Sequence, residues 1–272
     1  MTAAEPSPIR IALDERPQGL VATLTIDNAA RLNAMGSDLL EAFVAAVRRL
    51  AGNRALRVLI VTGAGERAFV GGADIREMAT IATPDQGRAF ILRVHAACEA
   101  LRALPAPVIA RINGYAFGAG LELAAACDLR IAGDNARFGM QEVRLGIPSV
   151  VEAALLPGLI GWGRARWLLL TGETIDAEQA LKWGLVEEVA PTAELDRAVE
   201  ARVQSLLAGG PEALRLQKAL IRAWEELPMK DAIAAGVEAF AQAFESDEPG
   251  RTLTAFLTER ASRKADRLGR IR

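Results

Sequence analysis

The chain has 272 residues, 51% of them hydrophobic and 24% charged, with 32 Lys plus Arg against 34 Asp plus Glu. That length suits one large domain, or one domain with an appendage, and buries a sizeable core without staples. A net charge of −2 and the absence of a basic run give no footing for a nucleic acid or an anionic membrane.

In chain order, Met1–Pro8 has no basic n-region and no apolar h-region, so no signal peptide is expected. Ile9–Leu13 and Leu20–Ile26 read as strands around a Pro-Gln-Gly turn. Ser37 is placed to cap a helix running to about Leu50, with Leu40, Phe43, Val44 and Val47 on one face. Arg57–Thr62, Pro107–Ile112 and Asp128–Ala132 are short apolar strands between helical stretches. Such strands indicate a buried, mostly parallel sheet, hence an α/β core. After about Thr171 the pattern becomes helical: Asp176–Trp183, Thr192–Leu207, Pro211–Leu227, Lys230–Phe244 and Gly250 to Arg263. The division expected is a core over 1–191 and a helical part over 192–272. No run of about 18 uncharged apolar residues occurs, so no transmembrane helix is expected.

Two cysteines, Cys98 and Cys127, lack CxxC spacing and read as reduced thiols of a cytoplasmic protein. The single histidine, His95, excludes a multi-histidine metal site. A nucleophile–His triad would need it, and no GxSxG elbow accompanies it. His95 falls within a predicted helix over Pro84–Leu104 and reads as a helix-face residue without a catalytic role.

Two glycine-rich loops carry the chemistry. Ala68-Phe-Val-Gly-Gly-Ala-Asp-Ile75 follows the strand ending at Thr62. Asn113-Gly-Tyr-Ala-Phe-Gly-Ala-Gly-Leu-Glu122 follows the strand ending at Ile112. Each opens a helix, where glycine permits close approach and backbone N–H groups are free. Two such N–H groups, one per loop, can meet on one oxygen and form an oxyanion hole. The Gly118-Ala-Gly120 core lacks the GxGxxG spacing of a dinucleotide fingerprint. Taken alone it is equally a tight turn with close helix packing.

At these residues the sequence resembles the crotonase (enoyl-CoA hydratase/isomerase) family. The likeness begins at Arg31-Leu-Asn-Ala34 and runs through both loops to Asp128. It continues in Phe138–Gly146, Thr171-Gly-Glu173, Ala180–Val186 and Ala255-Phe-Leu-Thr-Glu-Arg260. The resemblance implies a spiral of ββα turns and a helical C-terminal part that builds a trimer, often doubled to a hexamer. Apolar residues such as Leu214, Ile221, Val237, Phe240 and Phe244 would serve that homo-oligomer. It also implies an acyl-CoA thioester as substrate and no separate cofactor or metal. The oxyanion donors implied are the N–H groups of Ala73 and Ala119, with Gly118 beside the latter. The CoA part would lie along Ala68, Gly72, Ala73, Asp74, Ile75 and Arg76. Arg31 and Arg67 would reach its phosphates, and Phe256 would line it across a subunit boundary.

Hydratases of this family use two glutamates, and both positions are filled, by Glu122 and Glu142. The chemistry needs such a pair: a water must be held at Cβ and a proton must reach Cα of a 2-enoyl thioester. The resemblance therefore implies an enoyl-CoA hydratase giving a 3-hydroxyacyl-CoA. Glu122 is assigned the water-orienting base role and Glu142 proton transfer at Cα, roles that the pair could share or exchange. A Δ3–Δ2 isomerase, which needs one acid/base group, or another acyl-CoA reaction of the family is the alternative, and a non-catalytic or RNA-binding relative is a third reading, which the balanced charge disfavours. The chain departs from the family after Glu142, where Leu145-Gly-Ile-Pro-Ser-Val-Val-Glu-Ala153 replaces a glycine-rich stretch. Glu152 is new there, either as a third active-site carboxylate or as a structural cap or pair. In the tail, Glu259 stands where the family usually has lysine.

Overall fold

The computed structural model describes residues 8–269. Residues 1–7, and the signal-peptide reading made on them, lie outside that span. The described chain forms two compact units, one ending at Leu206 and the other starting at Leu207.

The first unit winds through paired strands and helices. Its large sheet has the order β1-β2-β3-β5-β7-β10. These strands are β1 (Ile9–Arg16), β2 (Gly19–Ile26), β3 (Leu56–Gly63), β5 (Val108–Ile112), β7 (Leu129–Gly133) and β10 (Glu188–Ala190). Only β1 and β2 pair antiparallel; from β2 to β10 every pairing is parallel. A second sheet has the order β4-β6-β8-β9, from Ala68–Val70, Tyr115–Phe117, Arg137–Gly139 and Thr174–Asp176. From β3 to β8 each turn of the coil takes one strand from each sheet and then a helical segment, whereas the first turn takes both β1 and β2 from the large sheet. The helices are α1 (Ser37–Ala51), α2 (Ile75–Met78), α3 (Pro84–Ala103), α4 (Ala119–Ala125), α5 (Leu156–Thr171), α6 (Ala177–Trp183) and α7 (Leu195–Leu207). This is the ββα spiral.

The predicted apolar strands are buried throughout β3 and β5, apart from partial exposure of Ile60 and Arg111. Phe43, Leu24, Leu59 and Leu101 are completely enclosed between sheet and helices. Burial of each such side chain is worth about 1.5–3 kcal/mol. Ser37 does not cap α1: Gly36 is the N-cap, and the Ser37 hydroxyl and N–H both donate to Glu77. Helix α3 carries the expected start, with a reciprocal capping box between Thr83 and Gln86 and Pro84 at its first position. Helix α7 is tied into the first unit by ion pairs Arg16–Glu200, Arg111–Asp196 and Arg202–Glu188.

Two buried asparagines tie the loop ahead of β4 to the large sheet. Asn33 Nδ2 donates to the carbonyls of Ala64 (3.0 Å) and Ala68 (2.8 Å). Asn113 Nδ2 donates to the carbonyls of Gly63 (3.0 Å) and Gly65 (2.6 Å). Asn33 also sits at φ 57°, a left-handed conformation that asparagine tolerates better than most residues. This is the physical content of the Arg31–Ala34 motif.

The second unit holds α8 (Pro211–Glu226), α9 (Met229–Ala243) and α10 (Glu248–Gly269). Trp224 Nε1 donates to the Ala232 carbonyl at 2.9 Å, pinning α8 to α9. The buried Glu248 carboxylate accepts the N–H groups of Glu212 and Ala213 and so caps α8 from α10. Among the described residues no helix is long and apolar enough to cross a membrane.

Asn33→Ala should destabilise the chain by about 1–3 kcal/mol, because buried carbonyls lose their donor. Urea unfolding followed by circular dichroism measures this; an unchanged midpoint would contradict the role given to Asn33.

Candidate active site

The two loops end side by side because α4 lies almost against β4. A Cβ on Gly120 would stand 2.1 Å from the Val70 carbonyl oxygen. No other residue fits there. The bridge between Met35 and Ala73 sets the first loop: Met35 N–H donates to Gly72 O and Asp74 N–H to Met35 O. In that parallel pattern the N–H of Ala73 points away from Met35. Ala119 is the first residue of α4, where the backbone N–H has no intrahelical acceptor. Both alanines border one cleft, together with Gly72, Ile75, Gly118, Glu122 and Glu142.

Glu122 is one turn into α4 and buried, 3% exposed. Its Oε1 accepts the Ala153 N–H at 3.2 Å. Burial pushes its carboxyl up to about 8, the negative Glu142 and Glu152 add to this, and the Ala153 N–H opposes it. Glu142 begins the 3₁₀ turn Glu142–Leu145 and is half-buried. Ser149 Oγ donates to its Oε2 at 2.8 Å. Its Oε1 packs on Gly118, where a Cβ would come within 2.2 Å. Gly118 also holds φ +50° with ψ −121°, a backbone essentially reserved for glycine.

The remaining predicted residues fall elsewhere. Ala68 is buried in β4, its carbonyl taken by Asn33. Asp74 caps α2 by accepting the Arg76 N–H and pairs with Arg31 at 3.2 Å. Arg31, Arg67 and Arg76 are exposed near the first loop but do not border the cleft. Phe256 is exposed on α10, in the second unit.

Other residues were not given a role one by one in the sequence, although the segment Leu145–Ala153 was singled out as a whole. The cleft's apolar wall comes from Met78, Phe90, Ile91 and Val94 on one side and from Phe117, Ile147, Pro148 and Val150 on the other. Ser149 and the Ala153 N–H, which hold the two glutamates, were also missed. Phe90, Ile91 and Val94 were legible only as a helix stripe. Glu152 does not border the cleft. It is buried, and His95 Nδ1 lies 2.7 Å from its Oε1. The residue before it, Val151, sits at φ +42°, a strain of about 1–3 kcal/mol for a β-branched residue. Among the described residues no group of three or more His, Cys, Asp and Glu side chains is placed to hold a metal ion.

Two free amides and two unlike carboxyls around an apolar cleft are suited to stabilising an oxyanion while protons move beside it. Known proteins agree with this chemistry. A sequence model described as enoyl-CoA hydratase/isomerase matches residues 16–266. A short-chain-enoyl-CoA hydratase of Clostridium acetobutylicum is 37% identical over 89% of this chain and 93% of its own. A crotonyl-CoA hydratase of Syntrophomonas wolfei is 36% identical over 88% of this chain and 92% of its own. A crystal structure of an enoyl-CoA hydratase from Bacillus anthracis superposes with a TM-score of 0.86 at 33% identity, covering 92% of this chain and 96% of that one. The chain belongs to the enoyl-CoA hydratase/isomerase family.

Ser149→Ala removes the hydroxyl that aims Glu142. A hydrogen bond to a charged group is worth about 1.5–3 kcal/mol, so kcat should fall by roughly tenfold or more. Steady-state kinetics on crotonyl-CoA would show it, and an unchanged kcat would remove Ser149 from the site.

Proposed function

We propose that the protein is an enoyl-CoA hydratase that adds water syn across a 2-trans-enoyl-CoA, giving a 3-hydroxyacyl-CoA. The observation that carries this reading is the glutamate pair: Glu122 and Glu142 border one cleft with the free amides of Ala73 and Ala119. The names of the two relatives above support a short acyl chain. Glu152, the third acid that an isomerase could have used, does not border the cleft.

The protonation pattern assigns roles. A carboxyl raised to about 8 carries its proton at neutral pH. Glu122 thus enters as the acid, and Glu142, which accepts the Ser149 hydroxyl, is left the base role. This exchanges the roles first assigned on the resemblance. Glu142 takes a proton from water as the water oxygen bonds to Cβ. The double-bond electrons move through Cα to the thioester oxygen, where the N–H groups of Ala73 and Ala119 receive the charge. Each such donor is worth about 10²–10³ in rate. Glu122 then protonates Cα as the enolate collapses. The CoA moiety would run along Gly72–Arg76, with Arg31 and Arg67 toward its phosphates. Two buried free cysteines, Cys98 and Cys127, fit a reducing, cytoplasmic setting.

Hydration consumes the conjugated double bond, so the ultraviolet absorbance of crotonyl-CoA should fall when protein is added. Glu122→Gln and Glu142→Gln should each lower kcat by about 10² or more. The pair should be far from additive. Because Glu122 acts as an acid, kcat/KM should fall as pH rises through about 8. Conversion of a 3-enoyl-CoA with a rising absorbance, and no hydration of any short or medium 2-enoyl-CoA, would reject the hydratase and leave the isomerase.

The assembly belongs to the same proposal: a homotrimer or a dimer of trimers, built with the second unit. Its helices leave Ile233, Val237, Phe240 and Phe244 more than half exposed, between 55% and 70%. Solvent-facing apolar surface of that kind marks an interface. Sedimentation equilibrium at micromolar concentration should give three or six chains. A monomer would remove both the trimer and the cross-subunit role of Phe256.

A further inference from the structure

Helix α2 is a single turn of four residues, and it begins just after Ala73 and Asp74. A helix so short has no stability of its own, so contacts outside it must hold it in place. Most of its hydrogen bonds stay within residues 74–81. Glu77 reaches further. Its Oε2 accepts the Ser37 N–H at 2.8 Å, and its Oε1 accepts the Ser37 hydroxyl. Ser37 is the first residue of α1, and the N-cap of that helix, Gly36, makes no side-chain cap. One carboxyl group thus takes an orphan amide of the long helix and ties the short helix to it.

The start of α1 is therefore stitched to the first loop twice. In the first stitch, Met35 N–H donates to Gly72 O and Asp74 N–H donates to Met35 O, both at 3.0 Å. The second stitch is Ser37 on Glu77. Ala73 lies inside the first stitch, and the second closes behind it. The fit between the two strips of chain is tight: a Cβ on Gly36 would stand 2.7 Å from Glu77 Oε2. Ala73, Ile75 and Met78 all border the cleft, whereas Glu77 does not.

We propose that Glu77 is a positioning residue for the oxyanion donor Ala73: by gripping Ser37 it closes a clasp between the start of α1 and α2, and the clasp fixes the Ala73 amide together with the cleft-wall residues Ile75 and Met78. The donor is a backbone N–H, so only the path of the main chain can aim it. Without Glu77 the Met35 stitch still holds one side of Ala73, but the chain beyond Asp74 is free to shift. A donor displaced from the developing charge loses most of its effect, because such stabilisation depends on preorganised geometry. Glu77 acts through Ala73 and touches no reacting atom.

The inference rests on the oxyanion hole of the proposed hydratase, and its test needs no turnover. The probe is butanoyl-CoA, which has no double bond to hydrate, labelled with ¹³C at the thioester carbonyl. Isotope-edited infrared difference spectra at saturating probe read how strongly the bound carbonyl is polarised. Wild type should lower its stretching frequency. Glu77→Ala should lose about half or more of that lowering, as expected for a carbonyl left with one well-placed donor of two. Ser37→Pro should do the same: it strips both donors from the clasp at a helix position that proline favours. Glu77→Gln keeps an oxygen for the Ser37 N–H and should retain most of the lowering. Asp176→Ala removes the cap of α6 at Gln179 N–H; it should cost stability and leave the frequency in place. On crotonyl-CoA, kcat of Glu77→Ala should fall about tenfold or more with KM little changed. Should Glu77→Ala fail to fold, Ser37→Pro decides. A frequency that stays at the wild-type value in the folded variant overturns the clasp and leaves the hydratase standing. No lowering in wild type overturns the clasp and the oxyanion hole together. A wild-type lowering that depends on Glu77, in a protein that hydrates no enoyl-CoA, upholds the clasp and rejects the hydratase.

Discussion

The close approach of α4 to β4 is the constraint on which the site depends. Gly120 lies so near the Val70 carbonyl that a single methyl group would push the helix away. That contact brings the first residue of α4 beside the loop that carries Ala73. The proposed oxyanion donors are backbone atoms, so nothing about their placement can be repaired by a rotamer. It must be set by how closely two pieces of main chain pack. The surrounding devices serve the same end. Asn33 and Asn113 hold the first loop by its carbonyls, and the Met35 bridge turns the Ala73 amide outward.

From that packing the electrostatics follow. Because α4 is driven into the core, the carboxyl one turn along it is buried. Desolvation makes its charged form unfavourable. Glu142 is half-buried and accepts the Ser149 hydroxyl. Glu122 thus acquires its raised proton affinity from its surroundings alone.

Much of this was visible in the sequence, for identifiable reasons. Strands β3, β5 and β7 announced themselves as short apolar runs, and α3 was expected over Pro84–Leu104, against Pro84–Ala103 observed; β10, three residues long, was not named. The two glutamates and two alanines could be named because the loops holding them are glycine-rich and match a known pattern. The small sheet was not legible: β4, β6, β8 and β9 have three residues each, too few for any periodicity. Helix α5, kinked at Gly161, was missed as well. Ser149 and the Ala153 amide escaped because one is a common loop residue and the other carries no side-chain signal. His95 and Glu152 are 57 residues apart; His95 looked ordinary, and Glu152, singled out as new, had no partner named until the fold set them together. Ser37 was misjudged as a cap because local propensity could not foresee Glu77 arriving from α2.

One further consequence concerns observation rather than catalysis. His95 is the sole histidine of the chain, and its ring stands part-exposed against the carboxylate of Glu152. Its imidazole protons therefore give the only histidine signals in a proton spectrum. The protein carries, against a buried carboxylate of the turn that follows the cleft segment, a single native spectroscopic probe that needs no label.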